Sequence, residues 1–184
     1  MKNIKLMPHD LAYAKEMALL SSNPKVKNAL GLSDDQTTIE GTERFIEFII
    51  EQEKKLGKQY SRCIFNEEEK LIGVITLKDI NRQKKTSHIG TWIGYPYWGQ
   101  GYNELAKKEI LYKAFYELDL DYVFAGAKVT NTRSQKAQEK LPYITLFVEN
   151  DFPDEHRKLE SEVKEKCILH VIEKDKFVSW FGNS

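Results

Sequence analysis

The sequence contains little cysteine and no long apolar run, and its charges balance. Two cysteines, Cys63 and Cys167, stand far apart in 184 residues. No metal-ligand spacing surrounds them, so we expect neither a disulfide framework nor a metal site. This use of cysteine indicates a reducing, cytoplasmic setting. The first residues do not resemble a signal peptide, and no run reaches the roughly 18 apolar residues of a membrane span, so we expect no membrane partner.

Basic and acidic side chains cancel at 28 each. A strong positive field, which attracts nucleic acid, is therefore missing, and we expect no nucleic-acid partner. The length and the apolar fraction of 41% are typical of a globular protein with a sizeable core. Because no repeat or flexible linker divides the chain, we predict one domain over residues 1–184. The oligomeric state stays open, a homodimer included.

Strand-like and helix-like segments alternate along the chain. Their order predicts a mixed sheet with helices on its faces, an α/β or α+β fold in three layers. Thr42 is a candidate N-cap for a helix that ends at Gly57. After Pro142, which cannot continue a helix, the runs YITLFVE and CILHVIE predict two closing strands. The acidic segment Val148–His156 is expected to be a loop between them.

The segment WGQGYNE, residues 98–104, joins a predicted strand to a predicted helix. Gly99 and Gly101 lack Cβ atoms, so an anion can approach their amides closely. The first amides of a helix have no partner inside it, and its dipole adds roughly half a positive charge there. The segment lacks the third glycine of a dinucleotide fingerprint and the Gly-Lys-Ser/Thr of a P-loop. Two interpretations stay open: a diphosphate site, or a turn that needs glycine only for its backbone angles. Asn103 follows the turn, where its side chain either caps the helix or meets the ligand.

A longer pattern surrounds this turn, from about Ile72 to Tyr143. It consists of IGTWIGYPYWGQGYNE, a helix that ends in AFYELDL, a strand, and NTRS followed by EKLPY. In order, spacing and residue type it resembles the GNAT superfamily of N-acetyltransferases, in its RimJ/RimL-like branch. The resemblance implies the GNAT fold: a mostly antiparallel central sheet of six to seven strands, flanked by helices, with a splayed pair of parallel strands.

The resemblance also implies a cosubstrate site for acetyl-CoA. In this family the pantetheine arm lies between two splayed strands, here His88–Gly94 and Tyr122–Lys128. Backbone groups of the first strand pair with the pantetheine amides, the turn holds the pyrophosphate, and the N-T-x-S pattern faces the pantetheine and the thiol. The implied cofactor-binding residues are Trp92, Ile93, Gly99, Gln100, Gly101, Tyr102, Asn103, Asn131 and Ser134.

Two catalytic candidates follow from comparison with the family pattern. His88 stands where the branch often has glutamate, and a histidine there can take the proton of an amine. An exposed strand histidine without a role is the alternative. Many members of the family use a tyrosine as the acid for the thiolate, but this sequence has Gln138 in its place. Ser134 can instead donate a hydrogen bond to the leaving sulfur, or it is only a serine of the first helical turn. Acidic groups of Val148–His156 can attract a cationic amine, although such a loop is usually just solvated.

These observations predict an N-acetyltransferase that moves an acetyl group from acetyl-CoA to a primary amine by direct attack. The acceptor is a protein N-terminus, a polyamine-like metabolite or an aminoglycoside-like compound, and the sequence does not choose among them. Two alternatives stay open. The enzyme uses another acyl group, or the chain is a non-catalytic CoA-binding or regulatory module.

Overall fold

A computed structural model of the chain describes residues 1–183. The strands are β1 Ile4–Met7, β2 Tyr60–Asn66, β3 Leu71–Asn81, β4 Thr86–Ile93, β5 Tyr122–Lys128, β6 Ile144–Thr145 and β7 Cys167–Glu173. They form one sheet in the order β1-β2-β3-β4-β5-β7-β6. β4 and β5 pair in parallel, whereas β1–β2, β2–β3, β5–β7 and β6–β7 pair antiparallel.

Helices accompany the sheet along most of the chain. They are α1 Ala14–Ser21, α2 Pro24–Leu30, α3 Ile39–Leu56, α4 Tyr102–Tyr112, α5 Thr132–Glu139, α6 Pro153–Val163 and α7 Lys174–Gly182. The mostly antiparallel seven-stranded sheet with one parallel pair and flanking helices confirms the predicted fold class. The splay of the parallel pair stays a prediction. Within residues 1–183 no helix is both long enough and apolar enough to cross a membrane.

Helix α3 begins earlier than the sequence pattern indicated. Thr38 is its N-cap and accepts a hydrogen bond from the amide of Gly41. The predicted cap, Thr42, lies inside the helix, where its hydroxyl bonds back to the carbonyl of Thr38. The predicted end is confirmed, because Gly57 takes the left-handed conformation (φ 61°) that stops a helix without a Cβ penalty.

The closing segment differs most from the prediction. β6 has only two residues, and helix α6 begins within the predicted acidic loop, at Pro153, and extends beyond it to Val163. Pro153 begins this helix, which suits its fixed φ and missing N–H. A further helix, α7, follows β7 directly. Helix α6 is rich in charged residues, so the sequence pattern did not distinguish it from a solvated loop.

Two compact units divide the chain, and each has its own core. The first contains residues 1–78 and 90–110, and the second contains residues 79–89 and those from 111 onward. The first core is built by Ala14, Met17, Ile46, Cys63, Leu71 and Val74. One cluster of the second unit is built by Phe124, Val148, Leu169 and Val171. The assignment of a single domain to residues 1–184 stays a prediction.

A buried polar chain crosses the first unit. His9 is 8% exposed, and its Nε2 lies 2.8 Å from the hydroxyl of Ser61, which lies 2.7 Å from the hydroxyl of Thr76. Nδ1 of His9 lies 3.5 Å from the sulfur of Cys63. Burial, assisted by the positive charge of Arg62, lowers the pKa of His9 to about 4, and burial raises the pKa of Cys63 to about 12. The histidine is therefore neutral in the fold and the thiol is unreactive.

We expect the wild-type protein to lose stability as the pH falls from about 6.5 to about 4. In that window the unfolded chain binds a proton at His9 that the folded chain rejects. Between pH 7.5 and 5.0 this costs about 2 kcal/mol. Urea unfolding at both pH values measures this loss of unfolding free energy. The loss should be smaller in His9→Asn than in the wild type by about 2 kcal/mol. An equal loss in both proteins would contradict the assignment.

Candidate functional site

The turn before α4 has the backbone geometry of an anion site. Gly99 and Gly101 have φ of 71° and 87°, and a Cβ at either position would meet nothing within 4 Å. Glycine is therefore needed for the backbone angle and not for lack of space. Among the turn hydrogen bonds, the amide of Leu105 binds the carbonyl of Gly101 at 3.3 Å. The amides of Tyr102, Asn103 and Glu104 precede that residue, so they have no acceptor inside the helix.

Two side chains of the turn form hydrogen bonds within the protein. Gln100 donates from Nε2 to the carbonyl of Pro96 (2.9 Å), and its Oε1 accepts from the ammonium of Lys2 (2.9 Å). Tyr102 is 3% exposed and donates from its hydroxyl to a carboxylate oxygen of Glu67 at 2.5 Å. This hydrogen bond raises the pKa of Tyr102 to about 12. Both residues therefore offer a ligand their backbone amides more readily than their side chains.

Asn103 lies inside α4, and its side chain binds a buried lysine. The ammonium of Lys107 donates to Oδ1 of Asn103 at 2.8 Å, one helical turn away. Asn103 is thus engaged with Lys107 and not with a first-turn amide, which disfavours the helix-cap interpretation. Lys107 is 6% exposed, and burial lowers its pKa to about 8, opposed by the charge of Glu104. A cation beside the positive end of a helix dipole favours an anion there.

At the end of β4, the groups that a ligand could contact are backbone groups and not side chains. Trp92 packs against the core of the first unit, and Ile93 is buried. A Cβ on Gly73 would lie 2.2 Å from the carbonyl oxygen of Trp92, so β3 and β4 approach closely there. The indole N–H of Trp98 donates to the carbonyl of Ile93 at 2.7 Å, which leaves that oxygen one further lone pair.

In the second unit, α5 carries the residues of the N-T-x-S pattern. Asn131 caps the helix, since its Oδ1 accepts from the amide of Ser134 at 3.1 Å. Gln138, 6% exposed, donates from Nε2 to the carbonyl of Gly126 at 3.0 Å, and Nε2 lies 3.4 Å from the hydroxyl of Ser134. The hydroxyl hydrogen of Ser134 therefore stays available as a donor. Within the described part of the chain, Oε1 of Gln138 is buried without a hydrogen-bond partner, so this spot can accept a donor from a ligand.

His88, also in the second unit, is part of a carboxylate–imidazole pair. Its Nε2 lies 2.6 Å from Oε2 of Glu155, and the two side chains are 9% and 19% exposed. The imidazole also packs on Phe124, with ring centroids 5.1 Å apart. His88 is therefore not the exposed strand histidine of the alternative interpretation. The sequence indicated an acidic segment here but did not single out Glu155, because the helix that positions it was expected to be a loop.

Comparison with protein families agrees with this geometry. The family described as "Acetyltransferase (GNAT) domain" matches residues 3–143, which is more than half of the chain. The chain belongs to the GNAT acetyltransferase family. The resemblance predicted from the turn and its flanking pattern is thereby confirmed. This GNAT chain has the family pattern in residues of both compact units, as the matched range shows.

Individual relatives of this GNAT chain are distant. The Bacillus subtilis (strain 168) protein named "Putative ribosomal N-acetyltransferase YdaF" is 30% identical over 74 residues, and the match covers 40% of each chain, about two fifths of that relative's length. The structure of the microcin C7 self immunity acetyltransferase MccE with acetyl-CoA and AMP has a TM-score of 0.69 at 23% identity, covering 78% of this chain and 79% of that one. RimL, the ribosomal L7/L12 alpha-N-protein acetyltransferase, has a TM-score of 0.69 at 18% identity, covering 78% and 77%. At these identities the two structures establish the fold.

We expect Lys107→Met to stabilise this GNAT chain at pH 7. The lowered pKa of Lys107 means that burying its charge costs about 3 kcal/mol of stability, which the variant regains. Loss of the hydrogen bond to Asn103 lowers the stability of the variant by about 1 kcal/mol. A net gain of about 2 kcal/mol should appear in urea unfolding, with the less buried Lys108→Met as control. Because the pKa is about 8 in the fold and 10.5 otherwise, wild-type stability should also rise between those pH values, and the variant should lack that rise. A destabilised Lys107→Met variant would contradict the expectation.

Proposed function

We propose that the protein transfers an acetyl group from acetyl-CoA to a primary amine. The observation that carries the proposal is the turn before α4, where Gly99 and Gly101 have positive φ and precede a helix with unpaired amides. Such a turn suits a diphosphate, because amides and the helix dipole neutralise it without a basic cluster. CoA contains a diphosphate, and family membership supports CoA as its source.

The cosubstrate contacts are proposed for each unit separately. In the first unit, the amides of Gly99–Asn103 bind the pyrophosphate, and the backbone of Trp92 and Ile93 pairs with the pantetheine amides. In the second unit, Asn131 and Ser134 face the pantetheine and the thiol. The buried, unpartnered Oε1 of Gln138 supports a ligand donor close to Ser134. Binding acetyl-CoA supplies the acetyl thioester, and the residues of the chain supply orientation and proton transfer.

Positioning provides most of the acceleration in such a reaction. Effective molarities of roughly 10⁵–10⁸ M are possible for well-oriented reactants, whereas a general base adds about 10²–10⁴-fold. We propose His88 as the base that accepts the proton of the attacking amine. Ser134 is proposed to donate a hydrogen bond to the departing sulfur, since the amide of Gln138 is not a practical acid at neutral pH.

Two acceptor classes are compatible with the site: a protein N-terminus and a small amine. RimL is named a ribosomal L7/L12 alpha-N-protein acetyltransferase and YdaF a ribosomal N-acetyltransferase, and these names support the first class. The replacement of a tyrosine acid by Gln138 favours one alternative, a CoA-binding module without turnover. A homodimer, a cytoplasmic setting and the absence of a nucleic-acid partner stay predictions.

Gly99→Ala should weaken CoA binding through its backbone angle. A side chain at φ 71° costs roughly 1–2 kcal/mol, which would shift the turn away from the binding conformation. Gly31→Ala is the matched control, because Gly31 has φ 67° at the end of α2 and also has open space around it. Calorimetry should show affinity lowered about 5- to 30-fold in Gly99→Ala only. Equal affinity in both variants would contradict the diphosphate site.

Release of free CoA thiol tests the reaction itself. Purified protein with acetyl-CoA should release thiol when supplied with N-terminal peptides, polyamines or aminoglycosides, and His88→Ala should lower the rate about 10²-fold or more. Mass spectrometry of the amine should show one added acetyl group. Tight CoA binding without turnover on the whole panel would instead favour the binding module, and absence of CoA binding would overturn both proposals.

A further inference from the structure

We infer that Glu155 positions His88 and fixes which of its ring nitrogens accepts the proton of the amine. The inference rests on the proposed function and adds a residue that the family pattern did not supply. It follows from the 2.6 Å contact between Nε2 and Oε2 in a setting where both side chains are largely buried. Glu155 acts through the imidazole, so it is a positioning residue.

The ring of His88 is held from two sides. Phe124 pairs with His88 in the parallel register of β4 and β5, and its ring lies beside the imidazole. Glu155 lies in the first turn of α6, and its carboxylate contacts one ring nitrogen of His88. With one face packed and one nitrogen bonded, the imidazole has little freedom to rotate. A base held in this way meets the requirement for catalysis by positioning.

The chemistry of the pair decides the tautomer. A carboxylate only accepts hydrogen bonds, so the nitrogen facing Glu155 carries the hydrogen. In neutral His88 that nitrogen is Nε2, and Nδ1 keeps the lone pair that can accept a proton. As the amine nitrogen bonds to the acetyl carbon and the carbon–sulfur bond breaks, the amine proton moves to Nδ1 and CoA leaves as the thiolate. The resulting imidazolium lies against the carboxylate, which stabilises its charge.

Two charged neighbours of Glu155 on α6 have partners other than Glu155. Asp154, the other acid in the first turn of α6, binds Arg157. Lys158, one turn further, lies 3.4 Å from Asp79. The positive end of the helix dipole also favours a carboxylate at the position of Glu155. Glu155 is therefore placed to accept a hydrogen bond from the imidazole.

Glu155→Gln tests this role, because it keeps the shape of the side chain and removes its charge. We expect kcat to fall about 10- to 100-fold while KM for acetyl-CoA stays unchanged, within the roughly 10²–10⁴-fold that a general base contributes. Glu155→Asp should restore part of the rate. Glu162→Gln is the matched control, since Glu162 is exposed on the same helix. An unchanged kcat in Glu155→Gln would overturn the inference, even if the melting temperature fell.

A double-mutant cycle shows whether Glu155 affects the rate through His88 or independently of it. If Glu155 acts through the imidazole, Glu155→Gln should cost nothing further in the His88→Ala protein. An additive loss would overturn the inference.

Nitrogen-15 NMR of the His88 ring gives a readout without turnover. Under conditions in which the ring is neutral, wild-type His88 should show protonated Nε2 and unprotonated Nδ1, whereas Glu155→Gln should show mixed tautomers, because an amide both donates and accepts. A ring with its hydrogen on Nδ1, or identical spectra, would overturn the inference. If no amine is acetylated, the proposed function fails, and the spectra still decide whether Glu155 fixes the tautomer.

Discussion

The parallel pairing of β4 with β5 is the constraint on which the rest of the structure depends. Parallel neighbours cannot be joined by a tight turn, so the chain needs a crossover, and this crossover contains α4. The first amides of α4, which have no acceptor inside the helix, follow the end of β4 after the turn that contains Gly99 and Gly101. The same pairing sets His88 beside Phe124. The direction of these strands thus accounts for the turn before α4 and for the position of His88 beside Phe124.

Two buried ionisable side chains show opposite ways of tolerating burial. His9 becomes neutral, and its hydrogen-bond chain through Ser61 satisfies the ring. Lys107 remains largely charged at neutral pH, because its lowered pKa is still about 8, and its described hydrogen bond goes to Asn103. The burial of Lys107, in the helix that follows the turn, therefore lowers the stability of the protein. A bound diphosphate would offset part of that cost, which links the stability of α4 to the occupancy of the turn.

The sequence predicted the parts of the fold that local chemistry decides. Gly57 ends α3, and Gly99 and Gly101 take the positive φ that their residue type favours. Features decided by long-range packing were missed. Phe45, Phe48 and Ile49 of α3 fit one helical face by their spacing, but the two phenylalanines lie 37% and 53% exposed and only Ile49 is buried. Glu155 could not be assigned from sequence, because its partner His88 is 67 residues away and only the fold brings them together.

Gln138 is the strongest argument against turnover, and magnitudes decide its weight. An acid for the leaving group contributes at most the roughly 10²–10⁴-fold typical of proton transfer. A thiolate also needs less help to leave than an alkoxide, because thiols have pKa values near 8.5 and not near those of alcohols. Removing the acid therefore slows the reaction, whereas removing the oriented cosubstrate would abolish it. The amide of Gln138 also keeps a structural role, since it bonds the carbonyl of Gly126 and lies within reach of the Ser134 hydroxyl. The absence of a tyrosine acid therefore argues for slower acetyl transfer and not for its loss.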